Sequence, residues 1–155
     1  MEQPPSASLS FETPIWARRA RVLLAEDHPV NRQTIQIMLG DRVDLHLAAD
    51  GLEALEAAAS CEFDVILMDA DMPRMNGLEA VGAIRAHEAG RRRAPVHIIL
   101  MTCATAHDPA GLALACGADQ HLARPITEDG LIAAIARQAQ GLIDDESLAN
   151  LKAAA

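Results

Sequence analysis

The sequence predicts an α/β fold, a parallel sheet wound by helices on both faces. From Val22 onward, short aliphatic and β-branched runs alternate with longer segments of helical period, the pattern of strands buried on both sides by crossover helices. Several of these runs end in chemically useful side chains. Val22 to Ala25 leads into Glu26-Asp27, Val65 to Met68 into Asp69, and Val96 to Met101 into Thr102, while a further run carries Arg124-Pro125 just beyond its end. In a parallel sheet these carboxyl-terminal ends share an edge, so residues far apart in sequence converge on one crevice.

The strands are expected at Arg21 to Ala25, Asp44 to Ala48, Val65 to Met68, Val96 to Met101 and Gln120 to Leu122. Between the first two, Asn31 to Leu39 sets Ile35, Met38 and Leu39 on one helical face and stops at Gly40, a natural left-handed cap. Asp50-Gly51-Leu52-Glu53 has capping-box spacing, with Asp50 accepting from the early amides and Glu53 reaching back. Asn76-Gly77 opens a third helix bearing Leu78, Val81 and Ile84, and Asp108-Pro109 supplies a cap and a first-turn proline for a fourth that ends at Gly117. Gly111 inside that fourth helix costs about 1 kcal/mol relative to alanine. The helix is therefore either a low-stability element that a switch could reposition or a poorly formed surface helix. The fifth helix runs from Glu128 to about Gln140, is capped by Thr127, and buries Leu131, Ile132, Ile135 and Ala139.

With 155 residues, half of them hydrophobic, the chain fits one domain with a substantial core. Residues 1–18, rich in Pro and Ser, read as a flexible leader or linker; 19–142 form the domain; 143–155 read as a helical extension or frayed tail. A net charge of -9 argues against a nucleic-acid partner, because phosphates would repel such a surface. The basic run Arg91-Arg92-Arg93 lies between Gly90 and Pro95 and reads as a solvated turn. Cys61, Cys103 and Cys116 have neither metal-ligand nor redox-pair spacing, which suggests reduced thiols in a cytoplasmic protein, with Cys103 a buried inert one. No apolar stretch approaches the roughly 20 residues that span a bilayer, so no membrane partner and no export are expected.

Three carboxylates on one sheet edge repel one another and stay ionised together only if a cation neutralises them. Hard oxygen donors of this kind suit Mg²⁺, which makes Glu26, Asp27 and Asp69 candidate ligands. The structural alternative is that Glu26-Asp27 merely caps the following helix. Asp69 is also the best-placed nucleophile, since a carboxylate can attack phosphorus. Phosphoryl transfer is mostly positioning and electrostatics, and the Thr102 hydroxyl, the Arg124 guanidinium and backbone amides after Asp69 could supply the remaining donors.

Taken together, Val22-Leu23-Leu24-Ala25-Glu26-Asp27-His28-Pro29-Val30-Asn31, Leu67-Met68-Asp69-Ala70-Asp71-Met72-Pro73-Arg74-Met75-Asn76-Gly77, Met101-Thr102 and Gly117-Ala118-Asp119-Gln120-His121-Leu122-Ala123-Arg124-Pro125-Ile126 carry a resemblance. Over residues 20 to 140 the chain resembles the receiver domain of two-component response regulators, most like those of hybrid sensor histidine kinases. The resemblance implies a flavodoxin-like, five-stranded sheet of order 2-1-3-4-5. It implies Asp69 as phosphoacceptor, with Glu26, Asp27, Asp69 and the Asp71 carbonyl around Mg²⁺. It further implies Thr102 as the switch hydroxyl, His121 at the switch aromatic position, and Pro125 after a cis peptide. The implied partner is a histidine kinase or histidine phosphotransfer protein, with a homodimer possible through the fourth helix, fifth strand and fifth helix.

Two residues depart from the family pattern. Arg124 stands where the family has lysine, preserving charge but not geometry, and His121 stands where Tyr or Phe is usual. The chain would then be a phosphoacceptor whose only turnover is its own phosphorylation and slow dephosphorylation. One alternative is a pseudo-receiver that binds partners without phosphate, motivated by Arg124, Asp71 and His121. Another is a hydrolase, since Asp69-Ala70-Asp71 resembles the Asp-x-Asp opening of haloacid-dehalogenase-like phosphatases, although the order of motifs here is the reverse of theirs.

Overall fold

A computed structural model describes residues 19–91 and 94–139. Strands β1 (Ala20–Ala25), β2 (Val43–Ala48), β3 (Val65–Asp69), β4 (His97–Thr102) and β5 (Gln120–Ala123) form one parallel sheet. Their order is β2-β1-β3-β4-β5, as expected from the sequence. Helices α1 (Pro29–Leu39), α2 (Gly51–Ser60), α3 (Gly77–Ala89), α4 (Pro109–Cys116) and α5 (Glu128–Ala139) form the crossovers, with a 3-10 turn at Gly40–Arg42.

Alternation along the inner strands divides the core into two layers. Leu23, Ile66, Met68, Ile98 and Leu100 face Ala54 of α2, Ala80, Val81 and Ile84 of α3, and Ala113 of α4. Their neighbours Val22, Leu24, Val65, Leu67, Ile99 and Met101 face Ile35 and Leu39 of α1 and Leu131 and Ile135 of α5. Every residue of β3 is buried, because helices cover both of its faces and β1 and β4 cover both of its edges. The register pairs Leu24 with Leu67, Leu67 with Ile99 and Thr102 with Ala123, which brings the carboxyl-terminal ends of β1, β3, β4 and β5 to one rim.

Helix ends follow local chemistry, with some departures from expectation. α1 begins at Pro29, two residues before the expected start, because a proline at the first helical position leaves no amide to satisfy. Gly40 has the positive φ expected of its cap, but its ψ of -134° lies outside the left-handed helical region, and the chain turns there into the 3-10 segment. Asp50 accepts the Glu53 amide at 2.9 Å, and the Glu53 carboxylate reaches back to the Ala49 amide at 2.6 Å, one residue earlier than a standard capping box. In α5, Leu131, Ala134 and Ile135 are buried while Ile132 is only partly so. The expectations for residues 1–18, Arg92-Arg93, the Ala139 side chain and 143–155 lie outside the described residues. Among the described residues, no helix is long and apolar enough to cross a membrane.

Candidate functional site

Each strand delivers its functional side chain through the ladder that holds it. The Glu26 amide continues the β1–β2 pairing by donating to Ala48 O at 3.1 Å, leaving Glu26 buried at the end of a buried strand. Asp69 closes β3 at 6% exposure, and the next amide, Ala70, donates to Met101 O at 2.9 Å. The Arg124 amide donates to Thr102 O at 2.9 Å, so the β4–β5 ladder aims residue 124 at the same rim, where the Arg124–Pro125 peptide is cis. Gly77 lets α3 approach this rim. Its amide donates to Ala70 O at 3.0 Å, and a Cβ there would overlap the Asp69 carbonyl.

The carboxylates of Glu26, Asp27 and Asp69 offer oxygens that all lie within 4.8 Å of one another. Arg124 stands against two of them, with its Nη2 2.5 Å from Glu26 Oε2 and 3.2 Å from Asp69 Oδ1. The other Glu26 oxygen accepts the His28 amide at 3.2 Å, and Asp69 Oδ1 also accepts the Asp71 amide at 3.1 Å. Burial, reinforced by the charge of Glu26, pushes the Asp69 carboxyl up to about 7, although the Asp71 amide and Arg124 pull it down. For Arg124, burial works against the charge, but the hydrogen bonds and attraction of Glu26 and Asp69 prevail and raise its pKa further. Closely spaced hard oxygens with one exposed member, Asp27, suit a small hard divalent cation that keeps part of its water.

Thr102 ends β4 at 1% exposure, and its hydroxyl donates toward Leu122 O at 3.4 Å, so it faces β5. The Asp71 carboxylate is outside the oxygen cluster and exposed; what Asp71 brings to Asp69 is its amide. His121 is exposed on β5. Cys103 corrects the sequence expectation of a buried thiol. It is exposed, because the chain leaves β4 there, and its pKa is lowered chiefly by the hydrogen bond with the Thr105 hydroxyl at 3.2 Å.

A supporting contact escaped the sequence reading. Arg74, in the β3–α3 loop, adopts a φ of 63° unusual for a residue with a side chain, and its Nε donates to Asp50 Oδ2 at 2.5 Å. Beside it, the Gly51 amide donates to Met75 O at 3.0 Å, and a Cβ on Gly51 would overlap that oxygen. The loop after Asp69 is thus pinned to the start of α2. Asp50 was legible as a cap, but nothing local marks its second partner 24 residues away.

Residues 22–136 match the family model of the response regulator receiver domain. The chain belongs to that family. It is 35% identical over 127 residues to sensor protein GacS of Pseudomonas syringae pv. syringae, covering 81% of this chain and 14% of that protein. It is 37% identical over 109 residues to hybrid signal transduction histidine kinase G of Dictyostelium discoideum, covering 68% of this chain and 3% of that protein. The receiver therefore spans only a small part of either relative. Among solved structures it is similar to the receiver domain of a sensor histidine kinase from Pseudomonas aeruginosa PAO1, whose active-site cleft coordinates a magnesium ion. The TM-score is 0.70 at 34% identity, covering 79% of this chain and 98% of that one.

Proposed function

We propose that this receiver accepts a phosphoryl group on Asp69 from a phosphohistidine of a histidine kinase or histidine phosphotransfer protein, in a Mg²⁺-dependent reaction, and thereby changes its affinity for a partner. The carrying observation is the Asp69 carboxyl at the strand edge, within 4.8 Å of the Glu26 and Asp27 oxygens and 3.2 Å from the Arg124 guanidinium. In the transfer, an Asp69 oxygen forms the new O–P bond as the P–N bond breaks and the imidazole leaves. Mg²⁺, held by Glu26, Asp27, Asp69 and the Asp71 carbonyl, would neutralise charge on the phosphoryl oxygens.

The protein's own groups do the rest. The Asp71 amide orients Asp69 through the bond to Oδ1, and Arg124 supplies a fixed positive charge beside the attacking carboxylate. Thr102 is the hydroxyl that would turn from Leu122 toward the phosphoryl group, and His121 the neighbouring switch position. Exposed Leu112 and Leu114 on α4 support a partner or homodimer surface through α4, β5 and α5. We assign the receiver unit to residues 19–142, and its place to the cytoplasm.

Intact-mass spectrometry after incubation with Mg²⁺ and acetyl phosphate tests the reading. The wild type should gain one phosphoryl mass, and Asp69→Asn should gain none. An unmodified wild type would leave the phosphate-independent pseudo-receiver, and equal labelling of the Asn variant would move the phosphoacceptor to another residue.

A further inference from the structure

Arg124 and a divalent cation draw on the same carboxylates. A single nitrogen of the guanidinium bridges Glu26 and Asp69, two of the three carboxylates in the cluster. Glu26 is wholly buried, and with the His28 amide on its other oxygen both of its acceptors are engaged from within the protein. A buried carboxylate needs such a counter-charge, since burial without one is strongly unfavourable. The Arg124 backbone is itself held in the sheet by Thr102, so the cation is tethered at the rim.

We infer that Arg124 is a built-in competitor of the metal. Its guanidinium offsets part of the negative charge of Glu26 and Asp69, which holds the site assembled and lowers its affinity for a divalent cation. This rests on the metal-dependent reading proposed above and adds what sets the metal threshold. Three carboxylates alone would present a charge of -3 to the ion; with the guanidinium among them they present -2. Arginine does not lose its proton in proteins, so the competition persists at every physiological pH. A lysine at this position would keep the charge on a compact, flexible stem that can withdraw from Glu26 more easily.

Calorimetric titration of the full chain with Mg²⁺ alone, without any phosphodonor, tests this on the wild type, Arg124→Met and Arg124→Lys. Arg124→Met should bind Mg²⁺ at least about tenfold more tightly, because a positive charge close to a doubly charged ion is removed. Its metal-free melting temperature should fall, and its rise on adding Mg²⁺ should exceed that of the wild type. Arg124→Lys should fall between the two. Equal or weaker Mg²⁺ binding by a folded Met variant overturns the inference. Should that variant fail to fold, unchanged affinity in Arg124→Lys does the same, and tighter affinity upholds it. If wild type and variants bind Mg²⁺ alike, only the competition falls; if none binds, the metal-dependent reading falls with it.

Discussion

Asp69 holds a carboxyl group that burial and the Glu26 charge push up to about 7. An aspartate in the unfolded chain titrates near 4, so the folded, metal-free protein binds this proton more tightly than the unfolded one does. The residue therefore contributes most to stability at low pH, and that contribution is lost as pH rises from about 4 through about 7. Divalent cation binding requires the ionised form, so Mg²⁺ affinity should weaken when pH falls from about 8 to about 6. Calorimetry at the two pH values checks this. Asp69→Asn should also flatten the slope of metal-free melting temperature against pH across the same window, and an unchanged slope would assign the titration to another group.

Helix ends decide how closely the elements approach the rim. At Gly77 there is no room for a Cβ beside the Asp69 carbonyl, whereas at exposed Gly82, five residues along α3, nothing lies within 4 Å of one. Gly77→Ala should cost about 1–3 kcal/mol by overpacking, while Gly82→Ala should gain about 0.4–1 kcal/mol from reduced unfolded-chain entropy. Urea unfolding of the two variants side by side checks the contrast. Gly111 has a related role in α4. A Cβ there would overlap the Asp108 carboxylate, which accepts the Gly111 amide at 3.1 Å, so the glycine makes room for its own cap. Its interior position in a short helix was legible in the sequence as a weakness. The cap itself was legible in Asp108-Pro109; the φ of 51° that Asp108 adopts to form it was not.

At the scale of the whole molecule, what the sequence made legible follows from burial. β1, β3 and β4 are covered on both faces, so they stand out as continuous apolar runs, and the polar residue ending each run marks the rim. That logic reached Glu26, Asp69 and Thr102. It did not reach the bond between Arg124 and Glu26, which spans 98 residues, or the hold of Arg74 on Asp50, because such pairings exist only once the strands are in register. Leu67 sits at the centre of the register, wholly buried between β1 and β4. Leu67→Ala should therefore cost about 2–5 kcal/mol in urea unfolding, a large part of the 5–15 kcal/mol typical of a domain. A loss below about 1 kcal/mol would contradict the packing described.

The guanidinium set against the acids arrives just beyond β5, the last strand in chain order, whereas Glu26 follows the first strand and Asp69 ends the third. A chain emerging during synthesis, or one cut before residue 120, thus has its acidic groups without their counterweight. Charge balance at this edge is in that sense a certificate of completed assembly, issued only after the final strand has docked.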